Sequence, residues 1–185
     1  MMSLNELIEK VSGNQRIEVN EALALYRGAD FLTLADLANR KRFYHHPDRA
    51  VTYVVDRNIN YTNICVSGCR FCAFFEPSGT GKGYVISRQA LHDKIRETLN
   101  LGGTQILLQG GMNPDLTMDY YTDMLKDIKE NFDIHIHGFS PPEIDYIAKK
   151  SSLSIAETIS ILKRSGLSSI PGGGAEILCD EIRQQ

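Results

Sequence analysis

Tryptophan is absent from this 185-residue chain, and cysteine occurs only four times. Four cysteines make no disulfide framework for a chain of this size; in a reducing compartment clustered thiols bind metal or do chemistry. Lys and Arg stand together for no more than three residues, at 40–42, and the formal net charge is −3. A basic groove for nucleic acid or a polybasic patch for an anionic membrane is therefore not expected. No apolar stretch reaches the roughly 20 residues that span a bilayer. The opening "MMSLNELIEK" has neither the basic nor the apolar region of a secretory signal. These absences point to a cytoplasmic protein of one main domain with an appendage, long enough to bury a sizeable core.

Two grammars follow one another along the chain. Residues 3–44 carry apolar residues at helical spacing, interrupted near Gly28, and Thr33 with Asp36 resembles a capping box. "HHPD" at 45–48 breaks the pattern, so residues 1–50 read as a helical N-terminal cap. Residues 51–185 then alternate. "VTYVVDRNINYTNIC", "TQILLQGG", "DIHIHGFS" and "LSSIPGGG" read as strands, with helices between them and after the last. Ser87 is the expected N-cap of the first of these helices. The alternation implies parallel β/α units. Four strands are about half of a closed (β/α)₈ barrel. The fold expected is α/β: the first half of a TIM-type barrel with an N-terminal helical extension, ending inside a helix.

Periodicity assigns the faces. Gln105, Leu107 and Gln109 share one side of their strand, opposite Ile106 and Leu108. His135, His137 and Phe139 share a side opposite Ile134 and Ile136. The aliphatic sides suit covering helices, which turns the Gln and His sides, with Asn58 and Asn60, toward the barrel interior. His135 reads as a hydrogen-bonded core or lower-layer residue. His137, nearer the C-terminal end, is a candidate for the site.

Three of the four cysteines, Cys65, Cys69 and Cys72, fall within "NICVSGCRFCAF" with C-x₃-C-x₂-C spacing, directly after the first strand. Three thiolates can hold three irons of a [4Fe–4S] cluster and leave the fourth iron open. The competing reading is zinc in a binding module. It needs a fourth N or S ligand, which would be a distant His. Cys179, over a hundred residues away on an expected helix, reads as a small buried residue. "GTGKG" at 79–83 lacks the Ser/Thr and the spacing of a phosphate loop, and "YHHPD" at 44–48 reads as a junction.

With an aromatic residue, Phe71, before its third cysteine, this motif resembles the signature of the radical S-adenosylmethionine (SAM) enzymes. The resemblance implies that SAM chelates the open iron and is cleaved by an electron from the reduced cluster. The 5′-deoxyadenosyl radical so formed takes hydrogen from substrate. Over residues 50–185, "VTYVVDRNINYTNICVSGCRFCAF", "GGTQILLQGGMNPDL", "HIHGFSPPEI" and "GLSSIPGGGAEIL" are similar to the futalosine-pathway and deazaflavin group of that family. "TQILLQGG" and "FSPPEI" look most like its dehypoxanthine futalosine cyclases, of menaquinone biosynthesis. Aminofutalosine synthases and the FO synthase subunit share much of the pattern, and a half-barrel chain that does not catalyse the whole reaction is a further alternative. The implied partners are dehypoxanthine futalosine and an electron donor such as flavodoxin or ferredoxin. SAM contacts are implied at Phe71, Gln109, Gly110, Gly111 and Glu176. Many members carry an acidic residue after the two glycines; here it is Met112. Ser140 and His137 are implied for the substrate pocket. Ser140 and Glu143, in S-P-P-E with Pro141 at the first helical position, also read as a capping box.

Overall fold

The computed structural model describes residues 2–70, 72–172 and 179–183. The chain divides into two compact units, Met1–Thr52 and Tyr53–Gln185.

The first unit is three helices: α1 (Leu4–Ser12), α2 (Val19–Gly28) and α3 (Phe31–His45). Ser3 and Glu6 close a reciprocal capping box on α1. Leu7, Leu25 and Leu37, one from each helix, are buried together. The cap of α3 differs from expectation. Asp30 accepts from the Thr33 amide at 3.0 Å, and Asp36 instead reaches Arg40 four residues on. A carboxylate caps by lying before the first turn, and Asp30 has that extended backbone while Thr33 is already helical.

The second unit is a parallel sheet in the order β1 (Asp56–Asn60), β2 (Gln105–Gln109), β3 (His135–Gly138), with a connecting helix in each crossover. These are α4 (Arg88–Asn100) and α5 (Met118–Asn131); α6 (Pro141–Lys150), α7 (Ile155–Ser165) and the short α8 (Asp180–Arg183) follow β3. The fourth expected strand is reduced, among the described residues, to a parallel bridge between His137 and Ser169. The first strand is also shorter than expected. Pairing begins at Asp56, opposite Gln105, so "VTYVV" lies outside the sheet.

One face of the sheet makes the core. Ile59, Ile106, Leu108 and Ile136 are almost wholly buried, against Leu91 and Ile95 of α4 and Leu125 and Ile128 of α5. Full burial of each such side chain stabilises by about 1.5–3 kcal/mol. Their spacing on α4 and α5 is the helical i, i+3/i+4 stripe. Ser87 caps α4 by accepting from the Ala90 amide at 3.2 Å, as its sequence predicts. The other face carries Asn58, Gln105, Leu107, Gln109, His135 and His137, each more exposed than the core residues beside it. The register sets Gln105 opposite His135 and Leu107 opposite His137.

The alternation fails at Phe139. Expected on the His face, it is fully buried on the core side. Its φ is +62°, so the chain turns left-handed directly after β3. That is an uncommon conformation for a bulky residue. It is held by a 2.7 Å bond from the Phe139 amide to the Leu108 carbonyl, and by the Tyr61 and Tyr121 rings at 5.9 and 5.7 Å.

Candidate functional site

The cysteine loop leaves the C-terminal end of β1 and is laced to the loop leaving β2. The Gly111 amide donates to the Thr62 carbonyl at 3.0 Å, and the Val66 amide to the Met112 carbonyl at 3.1 Å. The Cys65 amide bonds the Glu76 carbonyl at 3.0 Å, which closes the cysteine loop on itself. Glycine is required at 111 because a Cβ there would lie 2.2 Å from the Ile64 carbonyl oxygen and 2.8 Å from Cys65 Cβ. At 110 it would lie 2.5 Å from the Tyr61 ring. So the two glycines serve close approach of protein to protein. Their amides are spent inside the fold, and what they can offer a ligand is carbonyl oxygen.

All four cysteines are free thiols. The Cys65 sulfur accepts from the Ser67 amide at 3.4 Å and from the Met112 amide at 3.3 Å. Ser67 Oγ lies 3.1 Å from the Cys69 sulfur, so Ser67 joins these two. Cys72 is tied to Cys69 through backbone, its amide on the Cys69 carbonyl at 3.1 Å. The three do not stand as a preformed ligand set: among the described residues no three His, Cys, Asp or Glu side chains are gathered for a metal ion. Gathering thiolates costs mutual repulsion that a bound cation relieves, so closing the set belongs to metal loading. The donor chemistry fits an iron–sulfur cluster. It comprises three free thiols in one loop, with amides aimed at sulfur, the kind of hydrogen bond that sets cluster potential. Cys179, expected to be buried, is exposed. It lies before the first turn of α8, where the Ile182 amide bonds its carbonyl.

The other expected residues fall at the same ends of the strands or outside the description. Gln109 closes β2, its carbonyl taking the Tyr61 amide at 3.0 Å. His135 Nε2 and His137 Nδ1 both lie 2.7 Å from the Ser169 hydroxyl. His135 is thus hydrogen-bonded as expected, but exposed rather than in the core. Ser140 caps α6: its hydroxyl accepts from the Glu143 amide at 3.4 Å and donates to Glu143 Oε2 at 2.6 Å. Phe71 and Glu176 lie outside the described residues. Lys82 follows turns at Gly79 and Gly81 and opens no helix, so it is no phosphate loop.

Sequence reasoning missed Tyr61 and underrated Glu143. Glu143 is 5% exposed. Its Oε1 accepts from the Tyr61 hydroxyl at 2.7 Å and the Gly110 amide at 3.0 Å. Burial pushes its pKa up; the bonds from Ser140, Tyr61 and Gly110 pull the other way without prevailing. Burial, with Cys65 and Asp115 nearby, likewise pushes up the phenol of Tyr146. A carboxyl with a raised folded pKa lends its stability below the unfolded value near 4.5, and that contribution is lost as pH rises through the folded value. Glu143→Gln is therefore expected to gain on the native chain as pH rises. Thermal melts of both from about pH 4 to about pH 8 would show it, and a constant difference would refute it.

A separate groove of about 490 Å³ lies between α4 and α5, lined by Arg88, Tyr120 and Asp127 among others. Asp127 in it is already engaged: it pairs with Arg88 and lies 2.6 Å from His92 Nε2. It sits on the covering helices, away from the strand ends, and we assign it no chemistry.

The radical SAM superfamily pattern matches residues 59–184. The cyclic dehypoxanthine futalosine synthase of Halalkalibacterium halodurans is 45% identical over 183 residues, covering 98% of this chain and 50% of that protein. The FO synthase of Nocardia farcinica is 43% identical over 163 residues, 88% of this chain and 19% of that one. Among solved structures, HydG, a maturase of the [FeFe]-hydrogenase, superposes with a TM-score of 0.62 at 15% identity, over 92% of this chain and 46% of that one. That likeness shows the fold, a partial TIM-type barrel. The chain thus spans about half the length of the futalosine synthase it matches. With the cysteine loop at the head of a parallel sheet, the match places this chain in the radical SAM superfamily, whose cofactors are a [4Fe–4S] cluster and SAM.

Proposed function

We propose that the chain carries the cluster-bearing part of an enzyme that cyclises dehypoxanthine futalosine in menaquinone biosynthesis. The observation that carries this reading is the 45% identity to a cyclic dehypoxanthine futalosine synthase along nearly the whole chain. When bound, the reduced cluster and SAM supply a 5′-deoxyadenosyl radical that removes the hydrogen at ribose C4′. The ribose carbon would then bond to the benzoate ring, and transfer of one electron to a one-electron acceptor and of one proton to a base would restore a closed shell. Residues 51–185 are the barrel portion and residues 1–50 a helical cap. Cys65, Cys69 and Cys72 ligate the cluster. The carbonyls of Gly110 and Gly111, with Phe71, Gln109 and Glu176, serve SAM. His137 and Ser140 face substrate. The fold's task is to hold the two reacting carbons close and exclude solvent hydrogen donors. The electron comes from a small carrier such as flavodoxin or ferredoxin.

The test is anaerobic incubation of the reconstituted chain with SAM, reductant and dehypoxanthine futalosine deuterated at C4′. Deuterium is expected in 5′-deoxyadenosine, seen by mass spectrometry. Without the further strands of an eight-stranded barrel to complete the substrate wall, stoichiometric cyclic product is not expected from these residues alone. Deuterium retained in that substrate, with turnover on the substrates of FO synthase instead, would move the assignment to that activity.

A further inference from the structure

Ser67 reaches two of the three clustered cysteine sulfurs, each with a different group. Its amide donates to the Cys65 sulfur at 3.4 Å, and its hydroxyl lies 3.1 Å from the Cys69 sulfur. Both contacts are local, each spanning two residues. Between Ser67 and Cys69 the chain turns at Gly68, whose φ of +61° is left-handed. A Cβ at 68 would meet nothing within 4 Å, so glycine is there for its backbone and not for space. Contacts across so short a turn do not depend on where Cys72 stands. Closing the thiol set on metal, which has to bring in Cys72, therefore leaves them in place. Ser67 is itself exposed, so packing does not call for a serine here.

The direction of the hydroxyl bond follows from the state of the sulfur. As a free thiol, Cys69 can give a proton to Ser67 Oγ or accept one from it. Bound to iron it is a thiolate, with no proton to give. The Ser67 hydroxyl is then the donor, in a charge-assisted bond stronger than a neutral one. Such a bond favours the state with more negative charge on sulfur. One-electron reduction of a [4Fe–4S] cluster adds a negative charge that its ligand sulfurs share, so a donor at this place raises the reduction potential. The amides on Cys65 act in the same sense, but they belong to the backbone. The hydroxyl is a side-chain choice.

We infer that the Ser67 side chain, through its hydroxyl on Cys69, sets the reduction potential of the cluster these cysteines hold and makes it easier to reduce. The one electron the cluster gains is lost by a one-electron carrier. A higher potential lets more weakly reducing carriers deliver it. The inference rests on the cysteine ligands and the family's cluster and not on the futalosine substrate, so it is tested with neither SAM nor substrate present.

The experiment uses the chain reconstituted anaerobically with iron and sulfide. A redox titration followed by low-temperature electron paramagnetic resonance gives the potential. Ser67→Ala is expected to make reduction about threefold to tenfold less favourable, a fall of roughly 28–59 mV for one electron. Ser67→Thr keeps the hydroxyl and should hold the native potential. Ser67→Val has nearly the shape of Thr without the hydroxyl, and should fall with the Ala variant. Val66→Ala, a truncation of the exposed neighbouring side chain, should leave the potential alone. Electron–nuclear double resonance before and after exchange into D₂O gives a second readout. One exchangeable proton coupled to the reduced cluster should be present in the native and Thr chains and missing in the Ala and Val chains. Iron per chain should match the native level throughout, because Ser67 ligates nothing. A native potential in the Ala and Val variants, an equal fall in Ser67→Thr or Val66→Ala, or loss of iron from the Ala and Val variants would each overturn the inference. A native chain that took up no cluster would overturn the ligand assignment, and this inference with it.

Discussion

Alanine at Cys65, Cys69 or Cys72 is expected to abolish the cluster, each change alone being sufficient. Three thiolates hold three irons, and the family's chemistry requires the fourth iron open, so there is no spare protein ligand. The structure adds a reason for the severity at Cys65. Its sulfur takes amides from both Ser67 and Met112, so truncating it also removes one of the bonds that lace the two loops together. Cys179→Ala should leave the cluster intact, since that thiol is exposed at the head of α8 and belongs to neither loop. Iron per chain and the broad visible absorption of the four reconstituted variants would be compared. Loss in Cys179→Ala equal to the other three would overturn the ligand assignment. A colourless native protein holding one zinc would favour the binding-module alternative.

Gly111→Ala is expected to be the most damaging change outside the cysteines. The new methyl would sit 2.2 Å from the Ile64 carbonyl oxygen and 2.8 Å from the Ile64 carbonyl carbon and Cys65 Cβ. Two of these are backbone atoms, and the bonds from Gly111 to Thr62 and from Val66 to Met112 hold them where they are. Neither loop can yield without breaking such a bond, so the cost should be on the order of 3 kcal/mol, at the upper end for overpacking. Because the cysteine loop is the part displaced, iron loading should fall with it. Gly13→Ala is the comparison: its φ is −78° and its nearest neighbour would be 3.4 Å away. That change should stay within about 0.5 kcal/mol. Calorimetric melts and iron content would be measured for both, and a Gly111→Ala chain as stable and as iron-loaded as the native one would disprove the close packing of these loops.

The cysteine spacing, the caps at Ser87 and Ser140 and the aliphatic faces of β2 and β3 were all legible in the sequence. Each is a short-range property: a thiol spacing, a side chain reaching an amide three residues on, or an alternation imposed by the pleat. Where longer-range forces compete, those rules lose. Phe139 continues the period of His135 and His137 on paper. It leaves their face because a bond to Leu108 and two tyrosine rings hold its backbone left-handed. Cys179 was expected to be buried, but it stands exposed before the first turn of α8. The β-branched "VTYVV" has the composition of a strand, yet the sheet register starts after it, at Asp56; of its residues Val55 alone bonds toward β2 among the described residues, its carbonyl taking the Thr104 amide. Glu143 shows the division most clearly. Its spacing from Ser140 suits a capping box, but only half of one forms: Ser140 takes the Glu143 amide, and the carboxylate does not return to the Ser140 amide. Its carboxylate was claimed by Tyr61 and Gly110, 82 and 33 residues distant in sequence, because burial leaves an acid no solvent and makes any donor within reach decisive. Local chemistry determined which residues could bind a cluster. Only the packing of three strand ends against one another decided which of them hold the loops in place.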